Sequence, residues 1–502
     1  MAVPNQLAAT TRITTWLPRS EFSACAARRL TLLGSHDFMK TQLSIAAVVL
    51  GLLACSNSDK PQPSTPNTGN NTAPTPVATR SPSPPPVKQP VAKQPPTEQP
   101  VAKPAPIPVA PPAKPSGPAK TVFPTLSGKN FAAQARAVFR VAACGDKTPV
   151  QKRFGPANVR RHCVKMRSYI AEYNKRWVSV AKPFIANLRP KNLPDRVVYP
   201  FGGGDFMTAL STFPDARLIT TISLEKSGDI RPIDTMSKWR LKKDLDLIGD
   251  HVGKLLRMRH SETKHLQEAA RQRLPGTVVF TMVGLAIHGY EPVSMHYFDY
   301  EPDGRIKYMT GAELDKREKE QKARARKKKK KWRRGVQAWR AQSAVYANME
   351  LRYRKLGDAS APIKVYRHIV ANLDWQHLKK SDAVLKLLKS HGKFAVMTKA
   401  ASYLLWLNSF YSIRNFLLKN MVWMISDSSG IPPRYAKPAG FEQITFGGMK
   451  QPYFPRGDKK VAQEMINLWK TNPRRKLPFR FGYPSKPDFQ NHMMVTRPKP
   501  QK

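Results

Sequence analysis

Two glycine-containing turns carry the acidic residues that could do chemistry. One turn consists of Gly202, Gly203, Gly204 and Asp205, and the other consists of Asp427, Ser428, Ser429 and Gly430. Each follows a short apolar run typical of a buried strand, and open α/β sheets bind ligands where their strands end. The sequence therefore predicts that both turns lie at one edge of a sheet and form a candidate pocket.

Two cations, Lys399 and Arg414, lie in otherwise apolar surroundings. A buried cation needs a carboxylate or a ligand as partner, and two carboxylates brought together without cations would repel each other. We therefore expect Lys399 and Arg414 to lie beside Asp205 and Asp427. Two interpretations stay open: a buried ion-pair network that fixes the loops, or the same network beside an open ligand pocket.

The residues around the first turn have the order of a Rossmann-type unit. A β run at Arg196–Tyr199 precedes the glycines, a helical stretch at Phe206–Phe213 follows them, and a second β run at Arg217–Leu224 ends on Glu225. Strand, glycine turn, helix, strand and acidic residue is the arrangement of nucleotide-binding α/β proteins. The predicted fold class is α/β, with a Rossmann-like mixed sheet.

With Asp205 and Glu225, this unit resembles the first two motifs of S-adenosylmethionine-dependent methyltransferases. The resemblance implies a glycine loop against the cofactor and an acidic residue on its ribose. Met207 stands where a third glycine belongs, and no acidic residue precedes the glycines. We therefore expect the fold without the nucleotide, and no cofactor.

Residues 190–485 also resemble an uncharacterised family of bacterial secreted proteins. The matching segments are Tyr199–Gly202, Ala401–Leu404, Ser428–Pro432 and Phe481–Tyr483. Ser428 stands where that family has a second acidic residue. This resemblance implies a secreted protein and brings no activity with it.

The segment Met39–Cys55 has the pattern of an export signal. Lys40 precedes an apolar run, Ile45–Leu53, which is too short to span a bilayer and has the length of a signal-peptide core. The ending Leu-x-Ala-Cys resembles the lipobox of bacterial lipoproteins, which implies cleavage before Cys55 and a lipid on its thiol. Ser56 then implies sorting to the outer membrane, whereas an incidental cysteine in a buried helix is the alternative.

This signal divides the chain. We predict that residues 1–38 are a mis-assigned leader, residues 39–54 the signal peptide, and residues 55–120 the lipidated cysteine and a disordered Pro-rich linker. A helical extension at 121–190 and an α/β domain at 191–490, with a basic insertion at 313–334, complete the chain. A genuine long leader on a cytoplasmic protein is the alternative.

The remaining cysteines, Cys144 and Cys163, are nineteen residues apart. In an oxidising compartment such a pair can form a disulfide. Because spacing alone fixes no geometry, two free thiols are the alternative.

The formal net charge of +51 favours anionic partners. The insertion 313–334 concentrates this charge, with thirteen basic and four acidic residues. As a long exposed helix or a disordered arm it could contact an anionic envelope polymer or lipopolysaccharide, or be only solvated surface. The proposed polyanion contacts are Lys327, Lys328, Lys329, Lys330, Lys331, Trp332, Arg333 and Arg334.

Periodicity predicts further elements. Helices are expected at 129–143, 157–188, 236–258, 261–273 and Ser381–Ser390, and strands at Thr277–Leu285, Val293–Tyr300, Arg305–Met309, Ile363–Val370 and Val422–Ser426. Turns are expected at Tyr290–Pro292 and Pro302–Gly304. His288, His296, Asp299 and Glu301 do not converge under strand alternation, so we predict no metal site.

The sequence thus predicts a lipid-anchored envelope protein, facing the periplasm or the cell surface, that binds a ligand or an envelope polymer or plays a structural role. No specific nucleic-acid recognition is expected. The alternative is an extracytoplasmic hydrolase or degenerate methyltransferase-like transferase that uses the two turns. Ser223 and Lys226 have the spacing of a Ser/Lys pair but lack any companion motif.

Overall fold

A ten-stranded mixed β-sheet runs through the part of the chain that the computed structural model describes. That part comprises residues 126–258, 274–329, 345–454, 458–486 and 490–500. The predicted α/β class with a mixed sheet is confirmed. Across the sheet the strands lie in the order β4–β3–β5–β6–β2–β1–β7–β8–β10–β9.

The strands are numbered along the chain. They are β1 (Arg196–Pro200), β2 (Leu218–Ser223), β3 (Tyr290–Tyr300), β4 (Ile306–Tyr308), β5 (Asn348–Lys355), β6 (Lys364–Val370), β7 (Phe394–Thr398), β8 (Met421–Ser426), β9 (Phe441–Gly447) and β10 (His492–Pro498).

The described α-helices are numbered in the same way. They are α1 (Ala132–Val141), α2 (Pro156–Tyr173), α3 (Ser179–Ala186), α4 (Phe206–Thr212), α5 (Lys238–Met258), α6 (Gly276–His288), α7 (Gly311–Lys329), α8 (Trp375–Lys380), α9 (Ala383–Lys389), α10 (Tyr411–Asn420), α11 (Pro433–Ala436) and α12 (Lys459–Thr471).

The five central strands, β6, β2, β1, β7 and β8, run parallel. Antiparallel strands extend the sheet on both sides. Every residue of β2 and β7 is buried, as expected of parallel strands that helices cover on both faces. Because parallel strands end at the same edge, the loops that follow β1, β7 and β8 leave the sheet side by side.

Alternate residues of β1 face two different cores. Val197 and Tyr199 belong to the core covered by α1, α2, α5 and α6. Val198 belongs to the core covered by α8, α9 and α10. The sheet therefore separates two helical layers.

The strand predicted at Thr277–Leu285 is wrong, because these residues lie inside α6. Nearly every residue of α6 is buried, so the helix has no polar face and no helical period in its sequence. Pro275 stands immediately before it, and Gly289 ends it in the left-handed conformation, with φ of 69°. These end signals, rather than the apolar run, distinguish the helix from a strand.

Other predictions fall on elements of the same type. Predicted strands coincide with β3, β4, β6 and β8 to within a few residues, and Pro302–Gly304 does join β3 to β4. The turn predicted at Tyr290–Pro292 is wrong, since these residues begin β3. Strand β10 lies beyond residue 490, where the sequence prediction ends the α/β domain.

The segment before β1 packs on the sheet. Phe131 donates its backbone N–H to the carbonyl of Met295 on β3, at 2.8 Å. Cys144 and Cys163 form a disulfide that ties α2 to the segment after α1. Trp177 is buried and donates its Nε1–H to the carbonyl of Arg480, at 2.7 Å.

Several predictions lie outside the described residues. They concern the leader, the signal peptide, Cys55, the Pro-rich linker, the whole predicted helix 261–273, and Lys330 to Arg334. Among the described helices, none is both long enough and apolar enough to cross a membrane.

Candidate functional site

Asp205 and Lys399 form a buried ion pair where β1 and β7 end. Lys399 Nζ lies 2.8 Å from Asp205 Oδ2, and the two side chains are 2% and 5% exposed. Thr208 completes a closed ring, because its hydroxyl accepts from Lys399 at 2.9 Å and donates to Asp205 Oδ1 at 2.6 Å. The Tyr199 hydroxyl donates to Asp205 Oδ2 at 3.1 Å.

Asp427, at the end of β8, is fully buried and accepts four hydrogen bonds. Its Oδ2 accepts from the backbone N–H groups of Ala400, at 2.9 Å, and Tyr483, at 2.8 Å. Its Oδ1 accepts from the backbone N–H of Ser429 at 2.9 Å and from the Ser429 hydroxyl at 2.5 Å. One carboxyl group therefore joins three loops.

The two carboxyl groups belong to one neighbourhood. Asp205 contacts Lys399, and Asp427 contacts the next residue, Ala400. Burial raises the pKa of Tyr199 well above its usual range, and the negative charges of Asp205 and Asp427 add to this shift. The structure thus brings together Asp205, Lys399 and Asp427, as the sequence predicts.

Arg414 does not join them. Its Nη1 donates to the carbonyls of Leu405, at 2.9 Å, and Leu407, at 3.1 Å. Its guanidinium lies 3.7 Å from the ring centroid of Tyr435, and burial lowers its pKa. The expectation that Arg414 would pair with a carboxylate is wrong, because its Nη1 donates to backbone carbonyls, and its buried Nε has no hydrogen-bond partner among the described residues.

Glu225 also lies apart from this network. Its backbone carbonyl accepts from His368 Nε2 at 2.7 Å, and its backbone N–H donates to Ser223 Oγ at 3.2 Å. Its side chain is half-buried just after β2 and makes no ion pair with Lys399 among the described residues.

The glycines of the first turn pack against the protein itself. A Cβ added at Gly202 would lie 2.7 Å from the Tyr199 ring, and Gly203 has a φ of 49°. Residues 202–205 are all buried. A glycine loop that cradles a phosphate exposes its backbone N–H groups to the ligand; this one is closed.

The loop after β7 holds an unusual backbone. Ala400, Ser402 and Tyr403 have φ values of 51°, 52° and 56°, in the left-handed region that side chains with a Cβ rarely adopt. Such strain persists where the surroundings over-determine the conformation. Here Asp427 fixes the N–H of Ala400, and Ser429 Oγ accepts from the N–H of Ala401 at 3.0 Å.

The second turn contains a pair that the sequence did not indicate. His492 Nε2 lies 2.7 Å from Ser428 Oγ, and both residues are fully buried. Tyr403 and Trp406 cover them, and Trp406 Nε1 donates to the Ser428 carbonyl at 3.0 Å. Burial lowers the pKa of His492, which keeps the ring neutral. No motif could have found His492, because it lies in a strand sixty-four residues further along the chain.

Gly430 and Gly482 let the second turn close. A Cβ at Gly430 would lie 2.2 Å from Ser426 Oγ, and one at Gly482 would lie 2.1 Å from Asp427 Oδ2. The two turns therefore meet in a filled, hydrogen-bonded interior. As it stands, this arrangement fixes three loops through buried hydrogen bonds.

A surface cleft lies elsewhere, between α11 and α12. It is shallow, with a volume of about 580 Å³, and is lined by Arg434, Lys437, Lys460, Gln463, Glu464 and Asn467 among others. None of the predicted pocket residues lines it. Within the described residues, no group of histidine, cysteine and acidic side chains could hold a metal ion.

The basic insertion forms α7, between β4 and β5. Its acidic residues lie in the first three turns and are engaged with cations: Glu313 with Lys307 at 2.9 Å, and Asp315 with Arg231 at 3.0 Å. Arg231 also pairs with Glu318 at 2.6 Å. From Lys322 to Lys329 the helix contains no acidic residue.

Compared with protein-family models, curated proteins and solved structures, the chain finds no match in any of the three.

Proposed function

We propose that the protein is a lipid-anchored protein of the bacterial envelope that binds an anionic envelope polymer through α7. In this proposal Cys55 carries the lipid, the Pro-rich segment is a tether, and the α/β body presents the basic helix. The network of Asp205, Lys399 and Asp427 serves to hold the body's loops.

The location is supported by two independent features. Cys55 ends a signal-like segment, and the disulfide between Cys144 and Cys163 is of a kind that persists in oxidising compartments. Lipidation together with a basic surface gives two membrane signals, which is what firm anchoring requires. An outer-membrane position follows from Ser56 under the usual bacterial sorting pattern.

The observation that carries the binding proposal is the separation of charge along α7. Its acidic residues occupy the end that is paired to the body. Lys322 and Arg324 still pair with Glu318 and Glu320 one turn earlier, whereas Arg326 to Lys329 have no acidic residue within four positions in the helix sequence. A rod of uncompensated positive charge attracts extended polyanions, and binding then releases counterions. A helix that is only solvated surface would have no need to keep its acidic residues at one end and its basic residues at the other.

We also propose that the five parallel strands form a Rossmann-like sheet that has lost its nucleotide. The order β1, glycine turn, α4, β2 and the helices on both faces support this proposal. The buried turn at 202–205 supports the absence of a nucleotide. Resemblance to the uncharacterised secreted family is consistent with the same view.

Anchoring is tested with Cys55→Ala. We expect the wild-type protein to sediment with membranes after a carbonate wash, and the variant to be released or to remain unprocessed. Normal membrane recovery of a processed variant would refute lipid anchoring.

Polymer binding is tested by salt elution of the full chain from heparin and from immobilised lipopolysaccharide. The variant replaces Lys322, Arg324, Arg326, Lys327, Lys328 and Lys329 by Gln. We expect it to elute at clearly lower salt, because each lost contact removes one released counterion. The matched control replaces Lys379, Lys380, Lys386, Lys389, Lys393 and Lys419 by Gln and should elute close to the wild type. Equal elution of both variants would show that only total charge matters.

An extracytoplasmic hydrolase or degenerate transferase is the second candidate. The spacing of 2.7 Å between Ser428 Oγ and His492 Nε2 favours it, since this is the contact of a nucleophile with its base. The complete burial of both residues speaks against it. A fluorophosphonate probe that labels the wild type but not Ser428→Ala would establish the hydrolase, and absence of label would dismiss it.

A further inference from the structure

Helices α2 and α5 form a close parallel pair on one side of the sheet. A Cβ at Gly155 would lie 3.8 Å from the Lys238 side chain, one at Gly249 3.5 Å from His162, and one at Gly253 2.7 Å from Tyr169. These contacts advance along both helices in the same direction. The glycines of α5 let the helices approach closely, so their outer surfaces make one broad face.

This two-helix face is strongly basic. Its acidic residues are paired within the face, Asp250 with Lys165 at 2.7 Å and Asp246 with Lys242 at 3.0 Å. Four other cations are exposed and form no ion pair among the described residues; they are Arg161, Lys238, Lys243 and Arg257. Lys254 is also exposed and lies one turn after Asp250, whose pKa its charge helps to lower. The stripe from Trp239 to Arg257 on α5 extends about 27 Å, at 1.5 Å per residue.

Two large apolar side chains stand out among these charges. Trp239 is 69% exposed and Val164 is 64% exposed. Lys243 Nζ lies 5.7 Å from the centroid of the Trp239 ring. A tryptophan with a neighbouring cation suits the boundary between water and lipid, where its ring enters the headgroup layer and the cation meets phosphate.

We propose that the two-helix face docks on an anionic lipid bilayer. A bilayer is flat, and it offers phosphate groups across the whole breadth of the face together with an apolar layer for Trp239 and Val164. A protein partner fits less well, because the buried centres of protein interfaces are depleted in lysine. An extended polymer would use the cations but would leave Val164 without a role.

This inference rests on the proposed function only in placing the protein beside an envelope membrane. It concerns different residues from α7, so the two proposals can fail separately. Loss of vesicle binding with normal heparin elution would contradict the proposal for the two-helix face and leave the proposal for α7 intact.

The test is co-sedimentation of the full chain, carrying Cys55→Ser to exclude acylation, with lipid vesicles. One set is pure phosphatidylcholine, and the other contains equal parts of phosphatidylcholine and phosphatidylglycerol. We expect preferential binding to the anionic vesicles. Each basic residue near such a surface contributes about five-fold in affinity, so Lys243→Gln with Lys254→Gln should lower the partition coefficient by about 25-fold.

Three comparisons decide the outcome. Trp239→Ala should lower partition to anionic vesicles at least about ten-fold, and the difference in emission between the wild type and Trp239→Phe should shift to shorter wavelength on binding. Lys379→Gln with Lys389→Gln, on the opposite face of the sheet, should change partition less than two-fold.

Equal losses from both charge variants, or unchanged partition of Trp239→Ala, would overturn the proposal, as would binding to heparin without any binding to vesicles. All variants lie at exposed positions, so melting temperatures close to the wild type verify their folding.

Discussion

Replacing Asp427 by Asn tests whether the network at the strand ends holds the fold. The substitution keeps the shape of the side chain and exchanges one carboxyl oxygen for an NH2 group. Oδ2 serves two backbone donors, Ala400 and Tyr483, and Oδ1 serves the N–H and the hydroxyl of Ser429. Whichever oxygen is lost, two donors lose their acceptor.

The size of the effect follows from these contacts. Hydrogen bonds to a charged group contribute about 1.5–3 kcal/mol each, so the loss of two destabilises the fold by about 3–6 kcal/mol. The folded body covers residues 126–500 with short gaps. At an unfolding entropy near 2 cal/mol/K per residue, this loss lowers the melting temperature by about 4–8 °C.

The assay is thermal and urea unfolding of Asp427→Asn beside Asp215→Asn. Asp215 is 85% exposed and pairs with Arg189 at 3.2 Å, so its substitution should change stability by less than about 1 kcal/mol. An Asp427→Asn protein as stable as the Asp215→Asn protein would refute the argument that Asp427 organises the three loops. Loss of ligand response with wild-type stability would instead make Asp427 a site residue.

Three further predictions concern other parts of the fold. Replacing Cys144 and Cys163 by Ser should lower the free energy of unfolding by about 3 kcal/mol, and reducing the wild type should reproduce this loss; peptide mapping that finds both thiols free in periplasmic protein would contradict it. Gly482→Ala places a Cβ 2.1 Å from Asp427 Oδ2 at a φ of +66°, and it should destabilise far more than Gly357→Ala, which has a φ of +77° and nothing within 4 Å; equal melting temperatures would show that the contact is relieved. Burial, together with the charges of Arg367 and Arg196, lowers the pKa of His391 from 6.5 to about 3. Because the unfolded chain takes up this proton first, the stabilisation is complete above pH 6.5 and is lost as the pH falls toward 3; urea unfolding over this range should give a shallower loss for His391→Gln, and parallel curves would exclude the role.

Local signals in the sequence were sufficient to predict the strands and turns at the centre of the sheet. The short β run at Arg196–Tyr199, the glycine turn and the short helix after it all agree with the structure. Lys399 and Asp205 are 194 residues apart, yet their proximity could be predicted because a buried cation needs a buried anion. The need to pair a buried charge therefore allows a contact to be predicted between residues that are far apart in the sequence.

Other features leave no such signal. Arg414 donates through Nη1 to backbone carbonyls, which every residue possesses, so these partners could not be identified from side-chain types. Helix α6 is buried on all sides and lacks a period. His492 reaches Ser428 only because β10 lies between β8 and β9, and strand order is a property of the whole sheet.

The position of β10 has a consequence for how the chain is made. Among the described strands, β9 is joined to the sheet only through β10, and β10 begins forty-five residues after β9 ends, at His492 after Gly447. A nascent chain that has already produced β9 still lacks the strand that must lie beside it. This side of the sheet can form only after β10 has been synthesised. Until then the chain keeps an open strand edge, whose unpaired backbone groups can pair with other chains and lead to aggregation.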